Sequence, residues 1–408
     1  MIYRELGKTG LKVSEIGLGA EWLERHGEEE VREVILECEA AGINLLDCWM
    51  SEPNVRSNIG KAIRGRRERW MIQGHLGSTW QNGQYVRTRD LAAAKTAFQD
   101  LLDRLETDYI DLGMIHFVDE QKEFHRIMEG EFYAWAKELK EKGVIRHIGM
   151  STHNPAVARL AAGSGKIEMI LFSVNPAFDM MPATEDLNEY FSETYDESLG
   201  GIAPERAELY RICEANGVGI TVMKGYAGGR LFAADTSPFG VALTPVQCIH
   251  YALTRPGVAS VMSGARNLEE LKNSIAYEEA SEAERDYAAA FAALPKISWV
   301  GHCMYCGHCA PCPAGIDVAS VTKFLNLARA QGEVPETVRE HYAVLPHHGE
   351  ECIACGSCAE AVPLWGSRWW RMSAPAAECL AVRQGKPCAG RDGCVCPRIF
   401  LAIPCKRR

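Results

Sequence analysis

An α/β architecture is predicted: eight strand–helix units closed as a TIM barrel, then a small α-rich domain bearing cysteines. Three observations carry this. From Ile16 to about residue 275, short apolar runs alternate with amphipathic segments at helical spacing. Those runs number eight, the strand count of a (β/α)8 barrel. Beyond residue 300, cysteines gather in two tight groups, Cys303, Cys306, Cys309 and Cys312, then Cys352, Cys355 and Cys358.

In chain order, Leu6–Ser14 reads as a short hairpin turned by Gly7 and Gly10. The eight strands are expected at Ile16–Gly19, Ile43–Asp47, Trp70–His75, Ile110–His116, Ile145–Ser151, Met169–Asn175, Gly219–Lys224 and Val258–Gly264. Helices are expected at Glu28–Ala41, Leu91–Leu105, Glu131–Lys142, Glu205–Asn216 and Pro245–Thr254. The last starts well, with Thr244 as N-cap and Pro245 at the first helical position. A doubly wound open sheet competes, but it wants a glycine-rich dinucleotide turn after an early strand, and the sequence has none. Phe178–Ala203 is long and acidic, a lid or a solvated loop. The expected division is a barrel over 1–294, a cysteine domain over 295–365, and an irregular basic tail over 366–408.

A net charge of −10 argues against a nucleic-acid partner. No apolar run approaches ~20 residues, and the N-terminus shows no apolar leader, so a cytoplasmic chain away from membranes is expected. Sixteen cysteines with no secretory signal suggest metal ligation in a reducing compartment rather than a disulfide scaffold.

In a barrel, chemistry sits at the C-terminal strand ends, which here carry Asp47, His75, His116, Ser151, Asn175 and Lys224. A lone polar residue there is commonly a cap or a satisfied core group; six at equivalent ends point to a site. The cysteine run ends in Cys312-Pro313. Zinc usually takes two pairs across a longer loop, so this spacing favours iron–sulfur clusters. In paired-cluster domains three cysteines of one motif join the fourth of the other. Cys352, Cys355, Cys358 and Cys312 would then hold one 4Fe-4S cluster. Cys303, Cys306 and Cys309 would hold a second, whose fourth ligand falls on Val362. The chain is net −17 up to Trp365 and net +7 from Gly366 onward. With one choice of codons, a single-base deletion within Glu360–Gly366 gives a Cys-Pro there, so the tail reads as a frameshift product, with a cysteine-rich metal-binding tail in which Cys394-Val-Cys396-Pro397 supplies a ligand as the alternative.

Several stretches together resemble the aldo-keto reductases: Leu6–Ser14, Gly42–Asp47, Asp108–His116, Ile148–Ser151, Val222–Gly225 and Ser263–Asn273. The likeness runs in order over residues 1 to about 290, and 295–365 resemble the paired-cluster ferredoxin domain some members carry. The resemblance implies a barrel that binds NADPH and transfers hydride to or from a carbonyl. It implies Ser151 at the nicotinamide amide and Gly225, Gly228 and Gly229 along the pyrophosphate. Gly264, Arg266 and Asn273 fall at the adenosine phosphate end, and Asn175 and Lys224 are placed in the same cofactor site. Of the family's catalytic Asp, Tyr, Lys and His, Asp47 and His116 match. Glu52 stands where the tyrosine is expected and His75 where the lysine is. Asp47, His75 and His116 are therefore expected to carry acid–base chemistry, with Glu52 a further candidate. The stretch Gly77–Arg87 could add Trp80, Tyr85 or Arg87 to the pocket.

The expected function is an iron–sulfur oxidoreductase working on a small carbonyl or alcohol with NADP(H). Electrons would pass through the clusters to a ferredoxin or another one-electron partner. The alternatives are a barrel enzyme using His/Asp acid–base chemistry without net hydride transfer, and a non-catalytic nucleotide-binding redox sensor.

Overall fold

The computed structural model describes residues 1–179, 203–237, 239–287, 310–329, 339, 342–343 and 345–358. Two short strands, β1 (Tyr3–Glu5) and β2 (Lys12–Ser14), pair antiparallel as the expected hairpin. The barrel strands are β3 (Ile16–Gly19), β4 (Leu45–Cys48), β5 (Met71–Leu76), β8 (Ile110–Ile115), β9 (Ile145–Thr152), β10 (Met169–Ser173), β11 (Gly219–Met223) and β12 (Val258–Ser263). Each parallels its neighbours, and the ring closes in the order β10-β11-β12-β3-β4-β5-β8-β9. Every residue of β3, β4, β8, β10 and β12 is buried, as suits parallel strands covered on both faces.

The hairpin plugs the base. Leu6 and Val13 pack with Leu45, Leu112, Met114, Met169, Leu171, Ala259 and Met262 inside the barrel. Helices cover the outside through a second, larger apolar cluster. Their starts follow the side chains available: Asp90, Asn154, Thr244 and Asn267 each accept a backbone N–H of the first turn. Helices Glu28–Ala41 and Leu91–Leu105 fall where the periodicity puts them.

One feature adds to the sequence expectations and one departs from them. The stretch after β5, for which no secondary structure is expected, forms an antiparallel hairpin, β6 (Ser78–Gln81) and β7 (Gln84–Arg87). It turns on Asn82 and Gly83, both at positive φ (51° and 77°), the twist a two-residue hairpin needs. In the Phe178–Ala203 stretch, Phe178 and Asp179 are buried in the short helix Pro176–Asp179 rather than solvated. The rest of that expected lid, residues 180–202, lies outside the described residues.

The two ends of that stretch meet. Ala203 N donates to Asp179 O at 2.6 Å. The Asp179 carboxylate accepts from Arg206 (3.1 Å), Tyr210 (2.5 Å) and Tyr251 (2.8 Å), all buried.

The C-terminal part adds helix Val318–Arg329 and the loops around Cys312 and Cys352–Cys358. Arg25, after β3, lies 4.7 Å from the Phe324 ring and donates to Ser320 Oγ. Cys303, Cys306, Cys309, Val362 and the 366–408 tail lie outside the described residues. Among the described residues no helix is long and apolar enough to cross a membrane.

Breaking the Asp179 knot leaves the buried Arg206 guanidinium without this carboxylate, a change of about 3–5 kcal/mol for a buried pair. Asp179→Ala should therefore lower the barrel's unfolding temperature sharply. Asp179→Asn, which can still accept from the tyrosines, should do so less. Thermal melts followed by circular dichroism check the order.

Candidate active site

The barrel's C-terminal rim opens into a cleft of about 700 Å³. At one end four side chains run in a row from inside the barrel outward. Asp47, on β4, is buried and accepts from Gln73 Nε2 at 2.8 Å. Gln73 is held from behind by Thr221, whose hydroxyl donates to its Oε1 at 2.7 Å. His75 Nε2 lies 2.9 Å from the same Asp47 oxygen. His75 Nδ1 lies 2.7 Å from His116 Nδ1, and His116 Nε2 lies 2.6 Å from the Tyr85 hydroxyl.

Strand geometry explains the first three. Asp47 pairs with Gln73 across β4 and β5, and His75 pairs with Met114 across β5 and β8, which brings neighbouring strand ends together. Tyr85 arrives differently. It sits on β7 opposite Trp80. The hairpin is tied to the end of β8: Arg87 donates to Phe117 O at 2.9 Å, and Arg89 donates to His116 O and Phe117 O at 2.7 and 2.9 Å. Glu123 receives Arg89 at 3.0 Å and Arg87 at 3.4 Å. The turn being gripped is unusual, because Phe117 has φ = 53° without being glycine. Ser151 Oγ accepts from Phe117 N at 2.8 Å and completes the clamp.

Trp49 stacks on His116 (centroids 5.9 Å apart, planes 11° apart) and meets Tyr85 edge-on. Burial first, then the nearby charges of His75, Arg89, Arg87 and His153, hold the His116 imidazole well below its ordinary value of 6.5. His116 therefore stays neutral.

The rest of the cleft collects most of the expected cofactor residues: Ser151, Lys224, Gly225, Gly228, Gly229, Gly264, Arg266 and Asn273 all line it. Gly264 is bare for a reason, since a Cβ there would stand 3.3 Å from the Trp22 indole. Tyr226 OH meets Ser274 Oγ at 2.8 Å, and Ser263 Oγ does the same, pinning the 225–229 turn to helix Leu268–Ile275. Arg266 is clamped by Glu270, with Nε donating at 2.7 Å.

Two expected residues are not brought into the cleft lining. Glu52 caps helix Pro53–Ile63, its carboxylate accepting from Val55 N at 2.7 Å, so its place is that of a helix cap rather than a member of the row. Asn175 spends its amide on backbone, donating to Lys224 O and accepting from Phe178 N, both at 2.9 Å. The sequence reading passed over Trp22, Trp49, Arg89 and His153; Trp49 stands only two residues beyond Asp47, and Asn82-Gly83 signalled the hairpin.

A depressed histidine sets a pH dependence. Below about pH 6.5 the unfolded chain takes a proton on His116 that the folded chain refuses, so folded stability falls as pH drops from 7 to 5. His116→Gln should flatten that slope relative to the native chain. Melting temperatures of both proteins across this range check it.

Comparison with known proteins agrees with this layout. Residues 15–293 match the aldo/keto reductase family. The chain is 28% identical over 285 residues to the uncharacterized oxidoreductase YqkF of Bacillus subtilis, covering 67% of this chain and 89% of that protein. It is 30% identical over 165 residues to the aldo-keto reductase YhdN of the same organism, 37% of this chain and 47% of that one. The crystal structure of PA4992 from Pseudomonas aeruginosa superposes with a TM-score of 0.51 at 25% identity, over 67% of this chain and 94% of that chain. The holo form of aldo-keto reductase AKR11C1 from Bacillus halodurans shares the fold, with a TM-score of 0.57 at 23% identity over 74% of this chain and 99% of that chain. The barrel, its order of elements and the match over 15–293 place the chain in the aldo/keto reductase family of oxidoreductases.

Proposed function

We propose that this oxidoreductase interconverts a small carbonyl and its alcohol with NADP(H), and that its C-terminal cysteines hold iron–sulfur clusters that exchange single electrons with a partner such as a ferredoxin. The observation that carries the first half is the continuity of one cleft. It runs from the Asp47–His75–His116 row to the turn at Gly225–Gly229 and on to Arg266 and Asn273.

The residues present fit a nicotinamide dinucleotide. Gly264 leaves a bare wall beneath Trp22, Gly228 and Gly229 line the middle, and Arg266 offers a cation at the far end. A phosphate there would share Arg266 with Glu270. When bound, the nicotinamide supplies or accepts hydride. This chain's own residues orient the carbonyl against Trp49 and move the proton through the histidines.

The cysteines divide by environment. Cys38, Cys48, Cys213 and Cys248 are buried in the barrel, and burial pushes the Cys48 and Cys213 thiols up to about 12 and the other two higher still. Such thiols are inert packing groups. Cys312, Cys352, Cys355 and Cys358 are only partly covered or exposed. They are also neighbours: the Cys358 thiol is raised by burial and then by the charges of Cys352, Cys312 and Cys355. Gly315 packs against His347, which seats the Cys312 loop beside the second motif. Ala354 and Gly356 take positive φ (53° and 83°), so the chain curls between the thiols. Among the described residues no three ligating side chains converge on a single-ion site. A multi-iron cluster spreads its thiolates more widely than one ion does, and these four would serve it. Bound clusters supply one-electron redox capacity.

The test is to purify the protein without oxygen, measure iron and acid-labile sulfide, and titrate with NADPH while following cluster absorbance and EPR. Reduction by NADPH is the expected outcome. Clusters that answer dithionite but not NADPH would separate the two halves and overturn the wiring.

A further inference from the structure

We propose that Tyr85, carried on the β6–β7 hairpin, is the catalytic proton donor to the substrate oxygen, backed by His116 and His75 as positioning residues in a two-imidazole relay. This inference rests on the oxidoreductase reading above and adds to it a residue from outside the positions that match the family motif. There Glu52 holds the expected tyrosine position and caps a helix instead. The phenol has been supplied from another element.

The row of contacts allows only two proton arrangements. His75 Nε2 faces a carboxylate oxygen, so it carries hydrogen and donates. With His75 neutral, its Nδ1 is bare and must accept from His116 Nδ1–H. His116 Nε2 is then bare and accepts from the Tyr85 hydroxyl. Every bond points inward. With His75 as imidazolium, compensated by Asp47, the two outer bonds reverse while His75 Nε2–H still donates to Asp47: His75 Nδ1–H donates to His116 Nδ1, and His116 Nε2–H donates to the Tyr85 oxygen. The phenolic hydrogen then points away from the row, toward the cleft that Tyr85 lines. The second arrangement is loaded and the first is spent.

The step between them balances. The carbonyl carbon accepts the hydride that a bound reduced nicotinamide supplies, and the C=O π pair moves onto oxygen. That oxygen takes the phenolic proton. Tyr85 oxygen recovers a proton from His116 Nε2, His116 Nδ1 recovers one from His75 Nδ1, and His75 ends neutral. One proton leaves the histidine beside Asp47 and one alcohol forms; solvent reloads His75. Oxidation of an alcohol runs the same chain backward. No charge comes to rest on His116, which fits its burial. The 2.6–2.9 Å contacts are hydrogen-bond lengths suited to sequential transfer.

The geometry also explains the arginine clamp. Arg87 and Arg89 fix the backbone at His116–Phe117 to the hairpin that bears Tyr85, so donor and relay are held by one rigid unit.

The experiment pairs kinetics with a readout independent of turnover. With 4-nitrobenzaldehyde and NADPH, Tyr85→Phe should lower kcat about 10²–10⁴-fold, the usual worth of a general acid. NADPH binding, read by fluorescence, should be unchanged. In the cofactor-free protein, ¹⁵N-histidine NMR should show His116 switching between its Nε2–H and Nδ1–H tautomers across a pH series. Tyr85→Phe removes the donor to Nε2 and should weaken that switch. Near-native kcat in Tyr85→Phe, with His75→Ala and His116→Ala inactive, would overturn the phenol's role and leave the oxidoreductase reading standing. A His116 that keeps one tautomer throughout would overturn the relay. If the native protein reduces no carbonyl probe, the substrate reading fails, and the NMR result alone decides for or against the relay.

Discussion

The organising constraint is the buried carboxylate of Asp47. Charge removed from water must be met by donors, and each donor brought in has needs of its own. Gln73 answers one and is itself held by Thr221. His75 answers another, but an imidazole has two nitrogens, and the second is as buried as the first. His116 satisfies it and thereby exposes the same need one step farther out. Tyr85 ends the series where the cleft begins. A lysine on β5 would have met the carboxylate and ended the row there, because an ammonium donates and accepts nothing. With histidine at that place the row continues, and among the described residues the hairpin carries it on.

That dependence explains why so much of the rim is rigid. A hydrogen bond to a charged group contributes about 1.5–3 kcal/mol when both partners are already placed. Arg89 gives several of its donors to Glu123 and two carbonyls, and a neighbouring residue takes an uncommon positive φ. Backbone strain of this kind persists where surroundings over-determine it. Here the surroundings are two arginines, a buried glutamate and the Ser151 hydroxyl, all acting on the Phe117 turn that follows His116.

The fold was legible because it is written in periodicity. All eight barrel strands fall within two residues of where the apolar runs put them, and the helix Leu91–Leu105 matches end to end. Asp47, His75 and His116 were legible for a related reason: strand ends are countable. What escaped was whatever depends on chemistry across the chain. Glu52 looks like an acid–base residue by position, and only its bond to Val55 N makes it a cap. Asn175 looks like a ligand until both ends of its amide are seen on backbone. Tyr85 could be named as a neighbour of the pocket but not as a member of the row, since its place depends on a hairpin register and on Arg87 and Arg89 reaching carbonyls at His116 and Phe117, far from it in sequence. The hairpin itself carried a signal, Asn82-Gly83 between Trp80 and Tyr85, that strand-counting for a barrel passes over.

The same contrast separates the two halves of the chain. Barrel thiols are sealed in the core, where burial suppresses the thiolate, while Cys312, Cys352, Cys355 and Cys358 are only partly covered or exposed. Where the later segment is described, helix Val318–Arg329 attaches to the barrel. That attachment is made at the cleft wall. Arg25 lies between two rings, 5.3 Å from Trp22 and 4.7 Å from Phe324 of the later helix. Trp22 in turn covers Gly264 inside the cleft. A guanidinium largely withdrawn from water is costly unless aromatic faces and hydrogen bonds compensate it. The compensation here comes from Trp22 and Glu24 on one side and Phe324 and Ser320 on the other, so neither side holds Arg25 as well without the other.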